Sequence, residues 1–314
     1  MELIDVSHPI SSDKQGAVVA LGTFDGMHRE DQRVVARASD IATATGAVAA
    51  VLLFEPHPRR LLHPQQPPFN LMTTDQRRRL LADSGIRRVY TGLFSPALAA
   101  LPALDFVQQM MRGVLSASHV CASTRVQFGH GEADRSAFLD ALRNNYQERF
   151  VTIDPEYDSD GRYIASTDIR LALQLGDLAS ARRMMGRSYA IEGPVIHGAK
   201  LGRTIGFPTL NVPLGEYLRP TLGIYASVTA LSDGRRLPGV SYIGRRPTVH
   251  GVEELLETFL FDFAETIYGQ TVETELIKFL RCDETFDGLE QMRHQIALDC
   301  DEARAVLNNF VRHS

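Results

Sequence analysis

Cysteine is scarce in this chain: there are three, Cys121, Cys282 and Cys300, and no two are close enough to form a metal-type pair. An odd number of widely spaced cysteines gives no disulfide framework, so the expected state is reduced thiols in a cytoplasm. A surplus of positive charge is missing too. Lys and Arg total 33 against 38 Asp and Glu, a net charge of −5. That balance excludes a broad basic face for nucleic acid or anionic lipid, so any polyphosphate ligand has to be held by a local site. No apolar run approaches the ~18 residues of a membrane span. The opening MELIDVSHPISSDKQG lacks the basic-then-apolar pattern of a secretory leader. Internal repeats and low-complexity tracts are absent as well.

What is present is a globular composition, with 44% hydrophobic and 23% charged residues over a length of 314 that suggests two domains. The first half alternates strand and helix signals. Strand-like runs fall at 17–21, 47–54, 87–92, 119–122 and 150–153, and helical spacing at 31–44, 75–83 and 104–115. This alternation predicts a Rossmann-like α/β domain, a parallel sheet with helices on both faces, over residues 1–186. Ligands of such sheets sit at the carboxyl ends of the strands, where GTFDGMH and EPHP lie.

Two short helices, 167–175 and 178–185, end the alternation. The strand-like runs that follow, at 189–196, 224–231, 239–243, 256–263 and 272–280, predict a small antiparallel β-barrel over residues 187–314. The chain closes on one amphipathic helix, with Leu289, Met292, Ile296, Ala303, Leu307 and Phe310 as its core-facing stripe.

The stretch HGAKLGRTIGFPTLNVPL carries the most chemistry. Gly198, Gly202 and Gly206 recur every four residues with Lys200 and Arg203 between them. Glycines let backbone N–H groups approach phosphate oxygens, although no G-K-[ST] follows, so this is not a Walker A loop. By itself the stretch reads more readily as a simple barrel turn than as a phosphate loop. Taken through Phe207-Pro208-Thr209-Leu210-Asn211, it resembles the G-x-x-L-G-R-x-[LI]-G-[FY]-P-T-A-N signature of the bacterial bifunctional riboflavin kinase/FAD synthetases. GVSYIGRRPT, LETFLFDFAETIYG and FLRCDETFDGLEQMRHQIALD are similar to further motifs of that family, in the same order. The resemblance implies an ATP-dependent riboflavin kinase that makes FMN. In it Gly198, Lys200, Gly202, Arg203, Thr209 and Asn211 bind the nucleotide, Thr209 and Asn211 hold Mg²⁺, and Glu257 is the catalytic base. These types suit phosphoryl transfer, which needs hard oxygen ligands, charge neutralisation and a group to accept the hydroxyl proton. Arg281 reads either as a contact to flavin or nucleotide phosphate or as a surface ion pair.

The first half also resembles this family, whose front motif is G-N-F-D-G-V-H-x-G-H. Gly22, Phe24, Asp25 and His28 match it, FEPHP supplies His57, and IASTDIR supplies Ser166, Thr167 and Arg170, which the resemblance assigns to nucleotide binding. Glu30 and Asp31, however, stand where relatives have glycine and a second histidine. A third motif, V-G-x-[DN]-F-x-F-G-x-x-R-x-G-D, is altered to ASTRVQFGHGEADR, with Arg125, Glu132 and Arg135 reversing or adding charge. Acid at a helix N-terminus fills the positive end that would meet a phosphate and repels a triphosphate. The expectation is therefore a kinase behind an adenylyltransferase fold whose FAD-forming activity is weakened or lost. The alternatives are a bifunctional enzyme that also makes FAD from FMN and ATP, a first domain repurposed for another nucleotide, and a flavin-binding regulatory protein. Riboflavin, FMN and ATP are the expected partners, with no nucleic acid and no membrane.

Overall fold

The computed structural model describes all residues except 130, 158–160, 162, 199–200, 249–250 and 312–314. It divides into two compact units, one formed by Met1–Gln66 with Thr74–Ile164 and the other by Pro67–Thr73 with Ala165–Ser314. The helices Ser166–Gln174 and Leu178–Met185 thus belong to the second unit.

The first unit is built on six parallel strands, β1 (Glu2–Asp5), β2 (Val18–Leu21), β3 (Ala49–Glu55), β4 (Arg88–Leu93), β5 (His119–Ser123) and β6 (Phe150–Ile153). Their order is β1-β4-β3-β2-β5-β6. From β2 the chain winds outward through β3 to β4, then returns to lay β5 on the other side of β2. This reversal opens a crevice beyond the carboxyl ends of β2 and β5, where open α/β sheets take their ligands. Val18, Val19 and Ala20 of β2 are wholly buried, as both faces of a central parallel strand must be.

Helix α1 (Arg29–Thr45) buries Val34, Val35, Ala38 and Ala42 and ends on Gly46 in the left-handed conformation. Helix α2 (Pro58–Leu62) is a short piece after β3, and α3 (Thr74–Asp83) precedes β4. The helix expected over 104–115 is present as Ala103–Phe106 continued by a wider π-helical stretch, Val107–Val114. A further helix, Glu132–Tyr146, lies where the sequence reading placed nothing.

The second unit carries β7 (Tyr189–Pro194), β8 (Leu210–Pro213), β9 (Gly223–Ala230), β10 (Arg236–Thr248), β11 (Gly251–Leu260) and β12 (Thr271–Cys282). Every pairing between them is antiparallel, in the order β7-β12-β9-β10-β11-β8. A bridge from Ile196 to Asn211 nearly closes the barrel between its two edges. Inside run hydroxyl pairs, Ser227 with Ser241 at 2.7 Å, Ser241 with Thr258 at 2.7 Å and Thr229 with Thr274 at 2.9 Å, so buried polar atoms satisfy one another.

Outside, Ala226, Val228, Val240 and Phe261 pack on Cys300, Ala303 and Leu307 of the C-terminal helix, Leu289–Val311. Of its predicted stripe, Leu289 is a correction: at the helix start it is 55% exposed. Cys300 takes a core position in its place. Among the described residues no helix is long and apolar enough to cross a membrane.

Candidate functional site

In the second unit, strand register assembles the site. Asn211 of β8 lies directly opposite Glu257 of β11, and Glu257 directly opposite Tyr242 of β10. Side chains directly opposite share a face, with Cβ atoms about 4.5–5.5 Å apart. A row therefore runs across three strands with the carboxylate at its centre. Asn211 is buried, and its amide nitrogen donates to the Thr209 carbonyl at 3.4 Å, which leaves the amide oxygen as an acceptor. The glycines of the 198–206 loop come close to this row. A Cβ on Gly198 would lie 2.6 Å from the Asn211 amide nitrogen and 2.7 Å from its oxygen. A Cβ on Gly202 would meet the Phe207 carbonyl oxygen at 2.3 Å.

Leu201–Thr204 forms one helical turn, and Gly206 follows at φ 90°. Arg203 is exposed and reaches the Tyr268 hydroxyl at 3.5 Å. Lys200 lies outside the described residues.

Tyr242 was not singled out by sequence reasoning. Its hydroxyl donates to Asp283 at 2.6 Å, its ring covers Gly244, and burial followed by the Asp283 bond pushes the phenol pKa up. The signal was available: the G at 244 two residues after a tyrosine on one strand face leaves room for the ring. Arg281 is an ion pair, gripping buried Asp299 through two 2.8 Å bonds, and the Asp299 bonds raise its pKa.

In the first unit the turn after β2 is held in unusual backbone. Phe24 (φ 52°), Gly26 (φ 99°) and Met27 (φ 40°) all lie in the left-handed region. Two of these are non-glycine, a concentration of local strain of the kind that marks ligand-binding turns. Phe24, Asp25 and His28 are all buried. Arg77 of α3 pins the turn from behind. Its guanidinium donates to the Thr23 carbonyl at 3.2 Å and to Glu55 at 3.0 Å, and burial lowers its pKa against the opposing pull of Asp25 and Glu55. His57 sits half-buried as the N-cap of α2, its Nδ1 accepting the Arg59 N–H at 3.1 Å.

The acidic pair at the start of α1 does not act as one block. The helix opens at Arg29, with His28 as its N-cap. Asp31 completes a capping box: its carboxylate accepts the His28 N–H at 3.2 Å, and His28 Nδ1 accepts the Asp31 N–H at 3.4 Å. Asp31 therefore does fill the positive helix end, as charge reasoning predicts. Glu30 is turned elsewhere, which corrects that reasoning for this residue. It is 3% exposed and accepts the Tyr163 hydroxyl at 3.1 Å and the Glu156 N–H at 3.3 Å.

Ser166, Thr167 and Arg170 fall in the second unit. Ala165 is the N-cap of their helix. Arg170 is buried, with its Nε donating to the Phe69 carbonyl at 2.9 Å.

Comparison with known proteins places both units. The riboflavin kinase family matches residues 185–307, and the FAD synthetase family matches residues 10–168. The bifunctional riboflavin kinase/FMN adenylyltransferase of Haemophilus influenzae is 34% identical over 98% of this chain and 100% of its own length. The enzyme of the same description from Escherichia coli K12 is 35% identical over 95% of this chain and 96% of its own. A solved structure described as a macrolide-efflux protein from Streptococcus pneumoniae superposes with a TM-score of 0.84 at 27% identity, covering 97% of this chain and 99% of that one. The near-complete coverage of both partners, with both family patterns in order along one polypeptide, leads to one assignment: the chain belongs to the bifunctional riboflavin kinase/FMN adenylyltransferase family.

Proposed function

We propose that the second unit transfers the γ-phosphoryl group of ATP to riboflavin, with Glu257 as the base that takes the proton of the ribityl 5′-hydroxyl. The functional boundary lies near residue 187, ahead of the barrel. The observation that carries this reading is the direct cross-strand pairing of Asn211 with Glu257, with the Gly198 loop pressed against the Asn211 amide. That arrangement sets an amide oxygen next to a carboxylate with backbone close by, the elements that phosphoryl transfer uses for positioning. As the hydroxyl oxygen bonds to phosphorus, its proton passes to Glu257, the bond to the β-phosphate oxygen breaks, and ADP leaves.

The donor set of the Thr209 hydroxyl and the Asn211 amide oxygen fits Mg²⁺, which prefers hard oxygen ligands and completes its shell with phosphate and water. When bound, the ion would neutralise charge on the phosphates. Gly198, Gly202 and Arg203 would bound the nucleotide on the loop side, and a role for Lys200 comes from the resemblance alone. Buried thiols support a reducing cytoplasm as the setting. Cys121 and Cys300 are free, and burial pushes both pKa values up to about 12, which keeps them protonated and unreactive.

The first unit would join FMN to the adenylyl group of ATP through the turn at Gly22, Phe24, Asp25 and His28. His57 lies on the neighbouring turn, and Ser166, Thr167 and Arg170 come from the resemblance alone. Asp31 in the capping box slows this step relative to the kinase, because an anion seat is already occupied by a carboxylate.

The test is to incubate the pure chain with riboflavin, ATP and Mg²⁺ and to separate the flavins over time. FMN accumulating ahead of FAD is expected, and riboflavin left unchanged would refute the kinase reading. Glu257→Gln should reduce FMN formation by a factor of about 10² or more, the scale of a lost general base. Turnover equal to the native chain would refute the base assignment.

A further inference from the structure

Taken singly, the altered charges of the first unit would erode a phosphate site. The structure shows them in pairs. Glu132 and Arg135, both in the altered motif, bond to each other at 3.0 Å, so these two charges satisfy one another. The second pair spans the crevice. Tyr163 donates its hydroxyl to buried Glu30 at the start of α1, and the Arg125 guanidinium lies over the Tyr163 ring, 4.3 Å from its centre. One tyrosine thus joins the two substituted positions. The phenol is held neutral as a donor, its pKa raised first by burial and then by the Glu30 charge, so Glu30 stays the acceptor of that bond.

The placement of Arg125 matters more than the pairing itself. It follows β5 by two residues, and its N–H is fixed by the Ser123 hydroxyl at 2.9 Å. Ala122 of β5 is paired with Leu21 of β2, so the chain beyond β5 and the turn beyond β2 leave the sheet side by side. This is the crevice created by the reversal of strand order, where ligands of open α/β sheets bind. Arg125 is an exposed residue with its base resting on an aromatic face. A guanidinium stacked in this way keeps its planar edge of N–H donors turned outward, the geometry suited to phosphate oxygens.

We propose that Arg125, seated on the Tyr163 ring that Glu30 anchors, is a polyphosphate-binding residue of the first unit. This rests on the reading that the first unit takes a nucleoside triphosphate. It assigns to Glu30 a role opposite to that of a blocker: its charge is spent on Tyr163 and the Glu156 N–H, and it anchors the platform under the cation. The recognised chemistry is a di- or triphosphate.

The test uses the full chain and inorganic pyrophosphate as probe, titrated calorimetrically in metal-free buffer, so no turnover is needed and a failure of either enzymatic reading remains separate. The native chain should bind pyrophosphate. Arg125→Gln should weaken that binding at least tenfold, Arg125→Lys by less, and Tyr163→Phe by an intermediate factor. Glu30→Gln keeps an acceptor for Tyr163 and should not weaken binding. Thermal unfolding of each variant reports whether it is folded, and Arg125 is an exposed position whose replacement leaves the core untouched. Equal affinity in the native chain and Arg125→Gln would overturn the proposal. So would the absence of binding in the native chain, or a loss in Glu30→Gln as large as that in Arg125→Gln.

Discussion

Replacing Gly198 with alanine is the sharpest probe of the kinase site, because the damage is local and its size can be worked out. Gly198 does not lie in the left-handed region, so its backbone accepts an alanine. The added methyl would lie 2.6 Å from the Asn211 amide nitrogen, 2.7 Å from its oxygen and 2.8 Å from its carbonyl carbon. Carbon contacts become favourable at about 3.5 Å, so the amide or the loop has to yield by somewhat under 1 Å. Asn211 is 4% exposed and locked in register opposite Glu257, which leaves the loop or the amide rotamer to move. A misplacement of about 1 Å costs on the order of 10²-fold in rate, and 10²-fold corresponds to about 2.7 kcal/mol of barrier. The expectation is a Gly198→Ala chain that unfolds within about 1 kcal/mol of the native one but forms FMN 10- to 100-fold more slowly (about 1.4–2.7 kcal/mol of barrier). The assay is initial-rate flavin chromatography at saturating ATP and Mg²⁺, with urea midpoints alongside. A rate within twofold of native would mean that the Asn211 amide is not part of the reacting arrangement, and the metal-ligand reading would fall with it.

Asp31→His, with Glu30 kept, should raise FAD formation from FMN and ATP while costing about 1 kcal/mol through loss of the capping carboxylate. Adding Glu30→Gly should lower stability by a further ~1–3 kcal/mol, because the Tyr163 hydroxyl and the Glu156 N–H lose their acceptor. An unchanged urea midpoint would refute the role given to Glu30. Asp177 caps Leu178–Met185 by accepting the Ser180 N–H at 2.9 Å, and its pKa is depressed by the bonds from Ser180. A depressed carboxylate contributes stability above its unfolded pKa and loses it as pH falls through the folded value. Asp177→Ala should therefore cost about 1 kcal/mol at pH 7, with the difference from native shrinking below about pH 4. A gap that stays constant to pH 2 would contradict this.

The fold was legible because both periodicities were strong. Uninterrupted apolar runs such as AAVLLF read as buried parallel strands, and β3 and β6 appear where they were expected within two residues. The helix Glu132–Tyr146 is not legible in the sequence because EADRSAFLDALRNNY begins with charge and buries only part of its surface. Strand β8 was missed because LNVP is four residues long and sits inside the signature. In the proposed kinase site, Asn211 and Glu257 could be named from sequence, but their pairing could not, since register is a property of the closed barrel. Glu30 shows the opposite limit. Its charge and its place in the helix were readable, yet the direction of its side chain depends on Tyr163, more than a hundred residues away.

The exchange at Glu132 and Arg135 has a physical preference behind it. Both lie in the first turn of Glu132–Tyr146, at i and i+3, where an ion pair contributes about 0.2–0.5 kcal/mol in either polarity. The helix macrodipole breaks the tie. An acid at the first position faces the positive end, worth about 0.3–1 kcal/mol, whereas an arginine there opposes it. This chain therefore gains helix stability from carrying the acid at the first position of the helix. The double exchange Glu132→Arg with Arg135→Asp should lower stability by roughly 0.3–1 kcal/mol, and Glu132→Arg alone, which also sets like charges three residues apart, by about 0.2–0.5 kcal/mol more, whereas Arg135→Asp alone keeps the acid at the first position and should cost only the pair, about 0.2–0.5 kcal/mol. Urea unfolding at low salt measures all three, and 1 M salt should erase most of the differences, since the Debye length falls to about 3 Å. If the double exchange proves more stable than the native chain, the dipole is not what favours this polarity.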